Sequence, residues 1–267
     1  MALIRPGGER CRHVTCQARR GAVRGADHAR PGAAAVAHPA DPVLARRGLH
    51  WAADPADVAP LLPAGTVPDT HDGRTYIGLV AFRMHRVGWF GLPGVPYFGT
   101  FPETNVRLYS VDRHGRRAVV FLSLEASRLL PVAIARAFFQ LPYFWARMEA
   151  ARDADTVTYR TRRRLPGPRG THSRIAVRVG EPIAEPTPLE HFLTARWGMH
   201  HTFFGRSGHL PDIHPPWPLH RAELLGLDDA LIPAAGLPAP GGPPLSVLWS
   251  PGVRVRFGRL ARAAARA

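Results

Sequence analysis

The sequence predicts one β-rich α+β domain in which a mostly antiparallel sheet closes on itself, accompanied by two or three short helices. Three observations support this fold class. Short runs rich in β-branched and aromatic residues recur along the chain, separated by glycine, proline and aspartate turn signals. Helical periodicity is confined to a few short segments. The 267 residues, 45% of them hydrophobic, suffice for one sizeable core, and no apolar run approaches the roughly 18 residues needed to cross a membrane.

The formal charge of +15 comes entirely from arginine, because all 35 basic residues are arginine and the chain has no lysine. Arginine accompanies abundant alanine, glycine and proline, the composition that a GC-rich coding sequence produces. The charge is therefore weak evidence for a nucleic-acid partner. The missing lysine excludes a Schiff base on a side-chain amine and a Walker-type phosphate loop.

The cysteines and histidines give no metal or redox motif. Cys11 and Cys16 form a single CxxxxC pair, too few for a disulfide framework, and we expect a reducing, cytoplasmic environment. Six of the 14 histidines lie between His191 and His220, at spacings that match neither HExxH nor a two-histidine-one-carboxylate site. We therefore expect no metal and no cofactor.

The chain divides into three predicted parts. Residues 1–45 are rich in arginine, alanine, glycine and proline, so disorder is expected there; the alternative is a misassigned start of translation. This segment also lacks the apolar core of a secretory signal. Residues 46–258 form the predicted barrel domain, and residues 259–267 a frayed tail.

The first predicted elements follow this leader. Asp54 is a candidate N-cap for a short helix. Asp72-Gly73 marks a turn into Arg74–Met84, an apolar run typical of a strand buried on both faces. Val87–Phe98 mixes glycines and prolines with aromatic residues, so it either packs as an ordinary loop or covers a pocket mouth.

A β-hairpin is predicted next, from Thr104–Val111 and Arg116–Leu124, which flank a four-residue turn signal. Side chains alternate across a strand, so one face carries four polar side chains: Glu103, Asn105, Arg107 and Tyr109. That face either lines a polar pocket or is the solvated outer face of a sheet. A turn without a bulge would pair Tyr109 with Ala118, Arg107 with Val120 and Asn105 with Leu122.

A helix is predicted over Arg128–Gln140, with Ile134, Phe138 and Leu141 on its buried side. Arg136 interrupts this apolar run. Its side chain either extends along the apolar surface to place its charge in water, or binds an anion.

A second hairpin is predicted from Tyr143–Ala151 and Thr156–Arg164. Seven arginines and no acidic residue lie between Arg160 and Arg178. We interpret this stretch as a solvated edge rather than a nucleic-acid surface, because base-stacking aromatic residues are not interleaved with the arginines. Further on, Thr187-Pro188-Leu189-Glu190 is a capping box that predicts the start of a short helix.

Eight stretches occur in order between residues 49 and 257: LHWAADPADVAPLLPAG, DTHDGRTYIGLVAFRM, FPETNVRLY, FLSLEASR, LPYFWARM, HFLTARW, PPWPLHRAEL and LWSPGVRVRF. Together they resemble the YqjF-like family of uncharacterised bacterial proteins, a domain of unknown function in the acetoacetate-decarboxylase-like superfamily. The resemblance implies a cone-like barrel with a central cavity and peripheral helices. It does not carry the decarboxylase activity over, because that lineage uses a cavity lysine and this chain has none. Val43–Gly48 fits the family's first strand poorly, which leaves that strand in doubt.

The shared strand face is the candidate site for a small carbonyl or carboxylate compound. Arg107 would hold an anionic group by two hydrogen bonds, and Glu103 would act as acid or base if burial raises its pKa. A structural ion pair between these two residues fits the pattern equally well. The further ligand-binding candidates are Asn105, Tyr109, Glu125, Arg136 and Tyr143.

The expected partner is a small-molecule ligand. Nucleic acid is disfavoured, no membrane partner is expected, and homo-oligomerisation is left open. The alternative hypothesis is a non-enzymatic sensor or interaction protein that uses the arginine-rich surface.

Overall fold

The structure is a computed structural model of the chain. It describes residues 43–86, 97, 99–258 and 261–262. The leader up to residue 42, both cysteines and nearly all of the loop expected over Val87–Phe98 lie outside the described residues. Among the residues described, no helix is long and apolar enough to span a membrane.

Strands make up most of the described chain. They are β1 (Val43–Ala53), β2 (Thr66–Pro68), β3 (Thr75–His85), β4 (Phe101–Asp112), β5 (Arg117–Ala126), β6 (Tyr143–Asp153), β7 (Thr156–Leu165), β8 (His172–Pro182), β9 (Gly198–Phe203), β10 (Arg206–Ile213), β11 (His220–Asp229), β12 (Ser246–Arg254), β13 (Arg256–Phe257) and β14 (Ala261–Arg262). The helices are α1 (Pro55–Val58), α2 (Leu129–Phe139), α3 (Pro188–Thr194) and α4 (Leu231–Ala234), with a 3-10 turn at Ala59–Leu61.

Nine strands close into a barrel. Their order is β5-β6-β7-β8-β11-β12-β1-β3-β4, and β4 pairs with β5 to complete the ring. β5 and β6 run parallel, whereas the other neighbours in the ring run antiparallel. The predicted closed, mostly antiparallel barrel is thus confirmed. The β9–β10 hairpin lies outside the ring and joins it where Met199 pairs in parallel with Val119.

β1 is a full member of the barrel. It pairs with β3 along its whole length and with β12 on its other side. Leu49 and Trp51 of β1 belong to the apolar core. The sequence-based doubt about the first strand was therefore wrong, because alternate apolar residues fix the register of the strand and the pairing continues back through residues 43–47.

Alternation along each strand decides which side chains fill the barrel. In β4, Val106 and Leu108 point inward and pack with apolar residues of the facing strands β7 and β8. Thr104 also points inward, and its hydroxyl lies 3.0 Å from that of Thr161 on β7. The alternate residues of β4, beginning with Glu103, therefore face outward from the barrel.

A second layer covers this outer face. Phe192 and Leu193 of α3 pack against Tyr76 and Tyr109 of the barrel wall. α2 packs on the neighbouring part of the wall through Val132. The outward side of β3, β4 and β5 is consequently an interface between the barrel and its helices.

α2 packs through Pro131, Val132 and Ala135. Phe138, predicted to be buried, is 60% exposed. Ile134 and Leu141, the other residues predicted on the buried side, are half-buried. The helix is therefore confirmed, but the face predicted to be buried was wrong, because the residues that pack lie at positions 131, 132 and 135.

Local capping signals are confirmed. The Asp54 carboxylate accepts from the backbone N–H of Ala56, and Thr187 and Glu190 make both hydrogen bonds of a capping box at the start of α3. The predicted hairpin of β6 and β7 is present. Sequence analysis missed β9, β10 and β11. β10 contains Pro211 and β11 contains Gly226, and proline and glycine are rare inside strands.

Candidate functional site

The polar face of β4 is buried beneath the outer layer. The exposed fractions are 1% for Glu103, 0% for Asn105, 7% for Arg107 and 0% for Tyr109. The solvated-face interpretation is therefore wrong. Buried polar groups are costly unless they find partners, so their contacts define the chemistry of this region.

A β-bulge sets the register of the central hairpin. Leu122 is the extra residue, so Arg107 pairs with Phe121, Asn105 with Leu124 and Tyr109 with Val119. The pairs expected from a turn without a bulge were wrong for two reasons. The bulge shifts one strand by a residue, and the Asp112 carboxylate accepts from the backbone of Arg116, which holds the turn one residue wider.

Glu103 supplies the carboxyl group of this cluster, and its pKa is strongly shifted. Burial raises its pKa to about 8. The Tyr143 hydroxyl, which donates to Oε2 at 2.9 Å, opposes the shift, as do the charge of Arg107 and the polar side chain of Asn105. Glu103 is consequently protonated for the most part at neutral pH. A carboxyl group held in this state can donate a proton or a hydrogen bond.

Arg107 is held in a defined orientation close to this carboxyl group. Its Nε donates to Oδ1 of Asn105 at 2.9 Å, and its guanidinium lies 5.2 Å from the centroid of the Phe121 ring. The contact with Asn105 turns the guanidinium along β4 toward Glu103. A cation and a protonated acid therefore lie on one strand face.

His50 is a member of this cluster that sequence analysis missed. In cross-strand register it lies next to Gly78, and Gly78 lies next to Arg107. A Cβ atom at Gly78 would be 2.9 Å from Cγ of Arg107, 3.3 Å from Cδ2 of His50 and 3.3 Å from the hydroxyl of Tyr109. Three polar side chains thus converge over a backbone position without a side chain. The pattern on a single strand cannot reveal a partner 57 residues earlier in the chain.

Tyr109 anchors the cluster to α3. Its hydroxyl donates to the carbonyl oxygen of Leu193 at 3.3 Å, and the guanidinium of Arg196 lies 5.0 Å from its ring centroid. Arg196 and Arg117 both pair with Asp69. Burial lowers the pKa of Arg196 to about 10, with Asp69 opposing the shift. These contacts fix α3 over the outward face of β4.

Glu125 lies on the other side of the barrel wall. It pairs in register with inward-facing Thr104 and makes two hydrogen bonds with Arg163, at 2.6 and 3.2 Å. Both side chains are essentially fully buried. Burial raises the pKa of Glu125, and Arg163 opposes the shift. The structure therefore does not bring Glu125 together with the outward cluster.

Arg136 is exposed, and its Nη1 donates to the backbone carbonyl of Tyr143 at 2.8 Å. The side chain thus ties α2 to the start of β6. Of the seven predicted site residues, five are brought together on the outward face: Glu103, Asn105, Arg107, Tyr109 and Tyr143.

Two cavities are lined by described residues. One of about 430 Å³ lies at the far end of the barrel between Trp51, Asp54, Arg74 and the loop over residues 237–245. A second of about 10 Å³ lies beside His50, which is close to the space that one water needs. Within the described part of the chain, no three His, Cys, Asp or Glu side chains are grouped as metal ligands.

Solved structures identify the class of fold. An acetoacetate decarboxylase-like enzyme from Sphingomonas wittichii RW1 matches 84% of this chain and 92% of its own, with a TM-score of 0.57 at 13% identity. The enduracididine biosynthesis enzyme MppR complexed with pyruvate matches 86% and 93%, with a TM-score of 0.53 at 17% identity. Acetoacetate decarboxylase from Legionella pneumophila matches 84% and 87%, with a TM-score of 0.54 at 14% identity. The barrel therefore has the same fold as these acetoacetate decarboxylase-like proteins.

The chain belongs to the DUF2071 family of uncharacterized conserved proteins, whose model matches residues 48–254. It is 30% identical over 196 residues to the uncharacterized protein YqjF of Bacillus subtilis strain 168, covering 73% of this chain and 81% of that protein. The predicted resemblance to the YqjF-like family is confirmed. No specific function is attached to either match.

Proposed function

We propose that this protein binds a small carbonyl or carboxylate compound on the outward face of β4, with Glu103 as the proton donor. The observation that carries the proposal is the adjacency of a carboxyl group whose pKa is raised to about 8 and the cation of Arg107. Both groups are buried, so an anionic ligand would meet them in a medium that strengthens electrostatic contacts. Perturbed acids beside a defined charge are common at functional sites.

The roles follow from the contacts. Arg107 would hold a carboxylate or enolate oxygen, and Asn105 would keep the guanidinium in place through its contact with Nε. Glu103 would donate its proton to a carbonyl oxygen as negative charge develops there, and the Tyr143 hydroxyl would orient the carboxyl group. Because the chain has no lysine, this chemistry proceeds without a Schiff base.

The fold neighbours support this class of ligand by analogy. MppR has been solved with pyruvate and with the condensation product of pyruvate and imidazole 4-carboxaldehyde, both small carbonyl-derived compounds. We further propose that residues 46–258 are the functional unit and that it acts in the cytoplasm.

The test is binding of pyruvate and acetoacetate, measured by ligand-observed NMR and by isothermal titration. Wild type should bind at least one of them, and Arg107→Gln should weaken binding at least about tenfold by removing a charge-assisted contact. Arg178→Gln is the matched control, because Arg178 is exposed and paired with Glu223 on the outside of β8. Absence of binding by wild type, or equal losses in both variants, would contradict the proposal.

An arginine-rich interaction surface is a second candidate, and one observation favours it. On the outside of β6, β7 and β8, Arg147 lies opposite Arg162, and Arg160 lies opposite Arg174. Like charges directly opposite each other destabilise a sheet. Glu149 pairs with both Arg147 and Arg160, so an anionic partner would add to the compensation that this one carboxylate supplies. Binding of a short DNA duplex that weakens steeply between 50 and 200 mM salt would favour this candidate, whereas ligand binding at Arg107 should change little.

A further inference from the structure

The larger of the two cavities lined by described residues lies at one end of the barrel, away from the outward face of β4. Its floor is apolar, since Trp51, Val58 and Ile77 belong to the barrel core. Ile77 points inward from β3, whereas the next residue, Gly78, lies beside the Arg107 side chain on the outward face. The cavity is therefore on the opposite side of the barrel wall from the site proposed on β4.

The loop over residues 237–245 forms the remaining wall and is held in place along its length. The Trp51 indole donates from Nε1 to the carbonyl oxygen of Gly242 at 3.0 Å, and the backbone N–H of Leu245 donates to the carbonyl oxygen of His50 at 2.8 Å. Leu237 at the start of the loop packs in the barrel core. Four prolines, at positions 238, 240, 243 and 244, further restrict the backbone. The cavity is thus preformed, and its volume of about 430 Å³ falls in the range of roughly 300–1,000 Å³ that holds small organic ligands.

Three charged side chains surround the mouth of this cavity: Asp54, Asp57 and Arg74, all exposed. Asp54 uses Oδ1 to accept from the backbone N–H of Ala56, which leaves its second oxygen available. The side chains of Asp57 and Arg74 make no ion pair or hydrogen bond with any other residue that the structure describes. Two carboxylates and one guanidinium give the mouth one excess negative charge, although the whole chain carries a formal charge of +15. The mouth therefore favours a cation within an otherwise basic protein.

The wall also offers more hydrogen-bond acceptors than donors. The lining prolines at positions 238, 240 and 243 have no N–H group, and ionised carboxylates only accept. A protonated primary amine supplies three donors on one cationic group. We propose that this cavity binds a primary amine with an apolar body, with its ammonium group at Asp54 and Asp57 and its body between Trp51 and the proline-rich loop. The site is separate from the one proposed on β4 and does not depend on it.

The experiment compares 2-phenylethylamine with its uncharged analogue 2-phenylethanol, which has the same ring and chain length. Binding is measured by isothermal titration and by ligand-observed NMR at neutral pH and low salt. Wild type should bind the amine at least about fivefold more tightly than the alcohol, because the carboxylates add a charge-assisted contact. Added salt should reduce this preference, since the charges at the mouth are exposed.

One variant tests the charge, and a second tests the cavity. Asp57→Asn removes a charge with little change of shape, so it should weaken binding of the amine at least about threefold and leave 2-phenylethanol unchanged. Asp155→Asn is the matched control, because Asp155 is exposed in the turn between β6 and β7. Ala53→Leu adds carbon atoms to a residue that lines the cavity and should weaken binding of both compounds. Ala239→Trp, in the exposed loop, serves if Ala53→Leu does not fold, and the melting temperature identifies unfolded variants.

Each outcome supports or overturns the site. A loss confined to the amine in Asp57→Asn, with Asp155→Asn like wild type, supports it. Equal affinities of wild type for the amine and the alcohol, or no binding of the amine, overturn it. Unchanged binding in a folded cavity-filling variant would place the ligand elsewhere and also overturn it. Arg107→Gln should bind the amine as wild type does, whereas a loss in that variant would assign the amine to the site on β4 and contradict this inference.

Discussion

At the scale of single residues, Glu103 and His200 are buried groups whose pKa values are shifted in opposite directions. Burial raises the pKa of Glu103 to about 8. Burial, together with the neighbouring His209, lowers the pKa of His200 to about 4, with the Asp112 carboxylate opposing the shift. Both residues therefore remain uncharged near neutral pH, since that is the form a buried group without full compensation prefers.

The raised pKa of Glu103 predicts that stability falls as pH rises. Between the unfolded pKa near 4.5 and the folded pKa of about 8, the native state holds a proton that the unfolded chain has released. This lowers the free energy of unfolding progressively across that window, by up to about 5 kcal/mol at its upper end. Urea unfolding from pH 5 to 8.5 should show the decline in wild type and a much flatter profile in Glu103→Gln.

The exposed carboxylate of Glu149 supplies the control for this experiment. Glu149→Gln removes a carboxylate from a surface ion pair with Arg147 and should keep the wild-type pH profile. An identical decline in wild type and Glu103→Gln would show that another group titrates in this range. Direct observation of the Glu103 carboxyl carbon by NMR would then give its true pKa.

At the scale of elements, a buried histidine joins the β9–β10 hairpin to the barrel. His200 on β9 lies with its Nδ1 2.7 Å from the Ser110 hydroxyl on β4, and its ring centroid is 5.4 Å from that of His209 on β10. Protonating one imidazole would place a charge beside the other in a buried setting. His200 thus connects the hairpin to β4, and burial favours its neutral form.

The lowered pKa of His200 predicts that the free energy of unfolding decreases as pH falls. Its folded pKa lies below the unfolded value of 6.5, so the stabilisation is complete above pH 6.5 and is lost as pH falls toward 4, by up to about 3 kcal/mol. His200→Gln, which keeps a group able to bond Ser110, should unfold at a lower pH than wild type. His114→Gln is the control, because His114 lies in the exposed turn between β4 and β5. Equal acid midpoints in all three proteins would contradict the prediction.

The strand β4 shows how far the sequence could predict the site. Alternation correctly grouped Glu103, Asn105, Arg107 and Tyr109 on one face. It could not say which face points into the barrel, because both are buried and each carries polar groups, with Thr104 among those on the inward side. That choice depends on pairing with strands far along the chain. The same dependence on distant strands concealed His50 and the glycine beneath it.

Helix α3 shows where local sequence suffices. Its capping box is complete within four residues, so the prediction needed no tertiary information. The contacts that α3 makes with β4 were not predictable in this way. Arg196, which follows the helix, pairs with Asp69, 127 residues earlier in the chain.

At the scale of the whole molecule, the barrel wall separates two polar centres. Glu103 faces the helices, whereas Glu125 on the next strand faces the interior and pairs with Arg163 of β7. The negative charge of Glu125 is itself a minor contribution to the raised pKa of Glu103. The two carboxyl groups thus differ in surroundings: one lies on the outward face beneath the helices, and the other is paired with a buried arginine in the core.

The Glu125–Arg163 pair crosses one of the short strand pairings of the ring. β5 and β6 share only three paired positions, from Leu124 to Ala126, and parallel pairing is slightly less stable per residue than antiparallel pairing. The ion pair links β5 to β7 across the inside of β6, and the Arg163 guanidinium stacks 3.6 Å from the ring centroid of Phe144 on β6. One buried arginine of β7 therefore contacts both β5 and β6.

Removing one partner of this pair should destabilise the part of the barrel formed by β5, β6 and β7. Arg163→Met leaves a buried carboxylate without its cation, so the free energy of unfolding should fall by about 3–5 kcal/mol, whereas Arg162→Met at the exposed neighbouring position should change it by less than about 1 kcal/mol. The double variant Glu125→Leu/Arg163→Met removes both charges and should recover most of the loss, since well-packed apolar residues can replace a buried ion pair. Urea unfolding of the four proteins measures this. If the double variant is as unstable as Arg163→Met, then the packing of the arginine on Phe144, rather than its charge, stabilises this part of the barrel.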